Sequence, residues 1–261
     1  MSWSISKNIS NKKEDECLYN KIQVCSDLHL DQLDSYESFK LVFPYGKILI
    51  MAGDICHIVN LEKHKSFFSF VSEKFEYVIY IPGNHEFYND LNLTLSELEY
   101  RVNIFLKNYN NIYYLNNQSI VINRILFTGS CLWCFPSSEP PPWFKLNLSK
   151  DELCHLYKDS LNYLNKISSL NYNNHVIITH YPPLFIDNFS RDNFSRDNTK
   201  KTKYYKYKEY YQNETILLKN MPKFWVFGHI HQNYIKFIDK TMYISNQYKS
   251  KCYNDKFLLS F

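Results

Sequence analysis

Apolar residues are distributed along this chain in two rhythms. Short unbroken runs at Ile48–Met51, Tyr77–Ile81, Val176–Ile178 and Phe224–Phe227, with a further apolar stretch at Val24, read as strands buried on both faces. Between them, apolar positions recur at helical spacing. Residues 60–75 form one such segment, with Asn60 as cap and Phe67, Phe68 and Val71 on one face. Residues 91–106 form a second, carrying Leu91, Leu95, Leu98, Val102 and Phe105, and Ser149 opens a third that runs to about Leu170 with Asp151 and Glu152 in its first turn. Residues 31–41 leave room for a short helix. Strands at 119–122 and 125–129, separated by Asn123-Arg124, predict a hairpin. A second hairpin is expected over 233–239 and 241–245, and residues 257–261 read as an edge strand. Strands alternating with helices favour an α/β fold.

Composition narrows this picture. At 261 residues and 45% hydrophobic content, a single domain over 21–261 is expected, preceded by a polar tail over 1–20. The net charge of +4 admits anionic substrates without demanding nucleic acid. The 23 Tyr and 19 Phe, with many Asn and Lys, read as codon bias of an AT-rich genome. The opening has no apolar leader, and no run of 18 apolar residues occurs, so a soluble, cytoplasmic protein without membrane contact is expected. Seven scattered cysteines fit reduced thiols, and Cys131 and Cys134 read as packing residues.

The chemistry sits where the apolar runs end. Asp27-Leu28-His29, Gly53-Asp54, Gly83-Asn84-His85-Glu86, His180 and Gly228-His229-Ile230-His231 each follow a predicted strand. Polar residues at the carboxyl ends of parallel strands converge in one crevice. Any one of these motifs alone is weak, since a single Asp or His at a strand end is ordinarily a cap or a surface residue. His57, His64, His155 and His175 are given that plain reading. Carboxylate, carboxamide and imidazole donors together suit Mn, Fe or Zn. Seven such donors exceed the needs of one tetrahedral ion and match two ions sharing a carboxylate. Two ions roughly 3.5–4 Å apart activate a water and clamp phosphoryl oxygens.

The ordered set DxH, GD, GNH[DE], H, GHxH resembles the calcineurin-like metallophosphoesterase superfamily from residue 21 to about 247. The resemblance implies a four-layer α/β/β/α sandwich of two mixed sheets with flanking helices and a dimetal site at strand ends. It implies Asp27, His29 and His231 as ligands of one metal, Asn84, His180 and His229 as ligands of the other, and Asp54 as the bridge. It also implies His85 as the catalytic acid with Glu86 beside it, and two divalent ions, Mn2+ first, with Fe, Zn or Ni as alternatives. The implied reaction is phosphoester hydrolysis by a hydroxide shared between the ions and attacking phosphorus in line.

No Arg follows Asp54 as in protein Ser/Thr phosphatases, the first motif lacks the Cys of lariat-debranching enzymes, and the extra domains of repair nucleases are missing. Small phosphomonoesters, nucleotides, cyclic nucleotides and phosphodiesters remain. A catalytically silent scaffold or a nucleic-acid-binding module is the alternative from another class, and the oligomeric state is left open. One stretch is anomalous: residues 187–197 contain a tandem Asn-Phe-Ser-Arg-Asp repeat, followed by the lysine- and tyrosine-rich run 200–211. Residues 187–208 are expected to form an inserted loop or lid, whose lysines meet phosphates while tyrosines, Tyr210 and Tyr211 included, stack on bases. The plainer reading is a solvated surface run.

Overall fold

The computed structural model describes residues 6–9, 21–33, 38–142, 144–186, 208–211, 213–248, 250 and 253–260. Its apolar strands divide their side chains between two hydrophobic layers. In the strand Ile48–Ala52, Ile48, Ile50 and Ala52 enter one cluster, while Leu49 and Met51 enter the other. Tyr77–Ile81 splits in the same way, Ile79 and Ile81 against Val78 and Tyr80, and so does Phe224–Val226, with Trp225 opposite its two neighbours. Successive side chains of a strand point to opposite faces. A strand apolar at every position must therefore be covered on both sides.

The covering is two sheets and a set of helices. One sheet has the order β12-β2-β3-β4-β5. In it β2 (Ile22–Cys25), β3 (Ile48–Ala52), β4 (Tyr77–Ile81) and β5 (Ile112–Tyr114) run parallel, and β12 (Leu258–Leu259) is antiparallel at the edge. The other sheet has the order β1-β6-β7-β8-β9-β11-β10. It comprises β1 (Ser6–Ile9), β6 (Gln118–Ile122), β7 (Ile125–Ser130), β8 (His175–Thr179), β9 (Phe224–Val226), β10 (Tyr234–Ile238) and β11 (Thr241–Ser245). Parallel and antiparallel neighbours are mixed in both sheets. The cluster containing Ile50, Ile79, Phe127, Ile178 and Val226 draws on both sheets and fills the layer between them. Helices α1 (Lys65–Lys74), α2 (Leu95–Leu106) and α3 (Lys150–Ser168) add Phe67, Phe68, Val71, Leu98, Val102, Leu153 and Leu164 to the outer cluster. The sandwich with flanking helices is thus the observed fold.

Local chemistry sets the helix starts, and two differ from expectation. Helix α2 begins at Leu95 because Thr94 and Glu97 form a reciprocal capping box. Upstream, the Asn89 carboxamide accepts the amides of Leu91 and Leu93 and curls that segment into a turn, leaving Leu91 exposed. Asn60 does not cap α1. Its side chain donates to Asp31 at 2.7 Å, and residues 58–64 form a 3-10 helix before α1 begins. Ser149 caps α3 as predicted, with Glu152 completing the box. The hairpin turn Asn123-Arg124 has φ of 50° and 63°, as a two-residue hairpin with both central residues left-handed requires. Strands β1 and β5 had no counterpart in the hydrophobic pattern. The expected insertion at 187–208 lies outside the described residues apart from Lys208. No described helix is long and apolar enough to cross a membrane.

The carboxyl ends of β2, β3 and β4 in one sheet and of β8 and β9 in the other meet at one edge. The His180 Nδ1 lies 3.0 Å from the Ala52 carbonyl, tying the end of β8 to the end of β3 across the sandwich. The Gly228 amide donates to the His180 carbonyl at 3.0 Å, and Ser26 pairs with Gln247 in an isolated bridge.

Candidate metal centre

The chain leaves these strands through turns that L-residues rarely adopt. Asp27, His29, Asp54, His229 and His231 have φ of 56°, 47°, 55°, 72° and 53°. Such conformations cost on the order of 1–3 kcal/mol each and persist only where surrounding bonds dictate them. Here the Asp27 amide donates to the Gly53 carbonyl at 2.9 Å, the His29 amide to the Asp54 carbonyl at 3.0 Å, and the His229 amide to the Asp27 carboxylate. Gly53 has φ of +85°, and a Cβ there would fall on the His180 ring. Glycine is required for both reasons.

These turns bring all seven expected donors together. Asp27, His29, Asp54 and His231 form one group and Asp54, His180 and His229 a second, with donor atoms within 4.8 Å of one another in each. His29 Nε2 lies 3.3 Å from His231 Nε2 and 3.9 Å from Asp54 Oδ2, and His231 Nε2 is 3.4 Å from Asp27 Oδ1. On the other side His180 Nε2 lies 3.2 Å from Asp54 Oδ1, from His229 Nδ1 and from Asn84 Oδ1. Asn84 therefore joins the second group. Two carboxylates, Asp27 and Asp54, are buried together beside imidazoles. Buried anions need cationic partners. The donor set is nitrogen and oxygen throughout, so the residues fit divalent cations.

Outer contacts orient the donors. His229 Nε2 lies 3.0 Å from the Tyr210 carbonyl, which leaves Nδ1 facing the cluster. Ser26 Oγ donates to Asp27, and the His231 amide donates to the buried Gln247 carboxamide. The two sides differ in charge preference. Burial lowers His29 to about 4, so its imidazole is neutral near neutral pH. Burial also opposes charge on His180, but the Asp54 carboxylate and its hydrogen bond raise it to about 9. Asp54 is held well below the usual carboxylate range: burial works against this, and His180 and His85 outweigh it.

His85 stands at the open side, 29% exposed, with Nε2 3.9 Å from Asp54 Oδ2 and its amide on Asp54 Oδ1. Glu86 does not stand beside it at the reacting centre, as the resemblance led us to expect. Its carboxylate is fully buried and accepts the amides of Asp54, Ile55 and Gly83 and the Tyr80 hydroxyl. It is a strut joining the turn after β3 to the turn after β4, and burial and Asp54 raise it to about 7. Tyr210 and Tyr211 also differ from the expected base-stacking surface. Both are buried, Tyr210 donating from its hydroxyl to the Ser138 carbonyl, so neither is a platform for bases. Lysines 200–206 lie outside the described residues.

The remaining histidines match their plain reading in part. His155 bonds within its own helix, and His175 is buried against Thr128. His64 lies on Asp31, whereas His57 is near the site, its ring centroid 6.1 Å from that of His85. Cys131 and Cys134 are free thiols in the outer core. Tyr88 was missed: its hydroxyl takes the Asn84 amide, a contact four residues away that no ligand motif announces.

The chain is 26% identical over 246 residues, 80% of its length and 84% of the relative's, to Uncharacterized protein L509 of Acanthamoeba polyphaga mimivirus. The phosphopantetheinyl hydrolase of Mycobacterium tuberculosis superposes with a TM-score of 0.62 at 14% identity, covering 88% of this chain and 89% of that one, and so shares the fold. A calcineurin-like phosphoesterase family model matches residues 21–233, most of the chain and every motif described above, and the chain belongs to that family.

Proposed function

We propose that this chain hydrolyses phosphoester bonds of small phosphorylated molecules, nucleotides among them. Asp27, His29 and His231 would hold one divalent ion and Asn84, His180 and His229 a second, with Asp54 placed to serve both. The observation that carries this reading is the position of Asp54. It belongs to both donor groups, with Oδ2 toward His29 and Oδ1 toward His180. Two divalent ions supply, when bound, a water activated near neutral pH and positive charge for the phosphoryl oxygens. Mn2+ is the first choice for a mixed imidazole and carboxylate set.

The chain's own residues do the rest. His85, on the exposed side of Asp54, delivers a proton to the leaving oxygen, a role ordinarily worth about 10²–10⁴-fold. Glu86 keeps the turn carrying Asn84 and His85 in register with Asp54. The complete donor set counts against a silent scaffold. The free thiols among the described cysteines support a reducing, cytoplasmic setting.

The test is a Mn2+-supplemented panel. It contains chromogenic mono- and diesters, nucleoside monophosphates, cyclic nucleotides, a phosphopantetheinyl ester and single-stranded nucleic acid. Turnover that chelation abolishes and Mn2+ restores is expected for at least one ester. Absence of turnover across the panel, or turnover indifferent to chelation, contradicts the reading.

A further inference from the structure

Asn84 is 4% exposed, so its carboxamide is largely shielded from bulk water. Its Oδ1 faces His180 Nε2 at 3.2 Å, on the side of the second donor group. The NH2 group must then find an acceptor inside the protein, or a buried donor is left unpaired. That acceptor is the Tyr88 hydroxyl, 2.9 Å from Asn84 Nδ2.

Tyr88 is itself held from several directions. The backbone amide of Lys145, from the loop preceding α3, also acts electrostatically on its hydroxyl. Its ring packs on His85 at 4.4 Å between centroids and edge-on against Phe144 at 6.4 Å. The spacing is local: Asn84 opens the 3-10 turn His85–Phe87, and Tyr88 closes it. One turn thus carries a proposed ligand, the proposed acid and the group that orients the ligand.

We propose that Tyr88 is a positioning residue for the second ion. By accepting from Asn84 Nδ2 it fixes the carboxamide with Oδ1 turned toward His180, His229 and Asp54. This rests on the reading of Asn84 as a ligand, and the experiment separates the two. Outer contacts of this kind ordinarily change metal affinity by roughly 10–100-fold.

Mn2+ binding is measured by calorimetry and by metal analysis after dialysis, on wild type, Asn84→Ala, Tyr88→Phe, Asn84→Asp and the Asn84→Asp/Tyr88→Phe double variant. Wild type is expected to take two ions and Asn84→Ala one. Tyr88→Phe keeps the ring packing and is expected to bind the second ion roughly 10–100-fold more weakly, with the first unchanged. In the Asn84→Asp background no N–H needs an acceptor, so the added Tyr88→Phe change should cost about threefold or less, as expected for a residue acting through another. If Asn84→Ala binds both ions as wild type does, the ligand reading of Asn84 fails. If Asn84→Ala loses an ion but Tyr88→Phe matches wild type, the positioning role alone fails. An equal loss from Tyr88→Phe in both backgrounds also overturns it, because a general packing defect would not distinguish Asn from Asp.

Discussion

The donors on the two sides of Asp54 are held by different means. On the His180 side, every donor is anchored from behind: His180 by the Ala52 carbonyl, His229 by the Tyr210 carbonyl and Asn84 by Tyr88. All three are buried. On the His29 side, the His29 amide donates to the Asp54 carbonyl, the His231 amide to the Gln247 carboxamide and Ser26 Oγ to Asp27, while the His231 side chain is 27% exposed. Asp27 and His29 are as buried as the inner donors, so the contrast lies at His231, where the outer side opens to solvent. A substrate approaching from solvent meets His231 and His85 first.

The strongest way to break this comparison is to remove what the two sides share. Asp54→Ala should reduce turnover to background and lower the bound metal by at least one ion, as judged by metal analysis. Next come substitutions on each side separately. His180→Ala leaves a buried vacancy beside Asp54 and should abolish nearly all activity. At the exposed His231 position water can enter, so His231→Ala should keep measurable turnover at raised Mn2+ concentration. Equal losses from the two would remove the distinction between inner and outer sides.

His85→Ala should spare both sides. Turnover is expected to fall by about 10²–10⁴-fold with metal content unchanged, and by less for esters with good leaving groups. A loss independent of the leaving group would reassign His85 to holding the phosphate.

The smallest effect concerns the metal-free protein and pH. His29 in the folded chain lies at about 4, below its ordinary 6.5. Its contribution is therefore complete above 6.5 and lost as pH falls toward 4. His175, also lowered by burial to about 4, adds to the same acid flank. His180, raised to about 9, contributes below 6.5 and loses that contribution as pH rises through 9. With metal chelated, denaturant midpoints should peak near neutrality. His29→Asn should flatten part of the acid flank and His180→Asn the alkaline one, each by on the order of 2 kcal/mol.

Much of this was legible in the sequence because the constraints are local. A strand buried on both faces must be apolar throughout, as Ile48–Ala52 is, and a capping box such as Ser149 with Glu152 is written within four residues. The convergence of Asp27, Asp54, Asn84, His180 and His229 was readable because each ends such a strand. Tertiary placement was not readable. Nothing adjacent to Glu86 shows that three amides and Tyr80 enclose its carboxylate. Tyr210 belongs to a run that looks like a surface, yet its carbonyl meets His229 and its ring the core. Strand β1 pairs with β6 across more than a hundred residues, with no hydrophobic period of its own to mark it.

Asp54 is proposed to be shared by two divalent ions. Anomalous diffraction from crystals equilibrated with Mn2+ tests it most directly. Two peaks are expected roughly 3.5–4 Å apart, one between Asp54 and His29, the other between Asp54 and His180. A single peak, or peaks that do not contact Asp54, would contradict it.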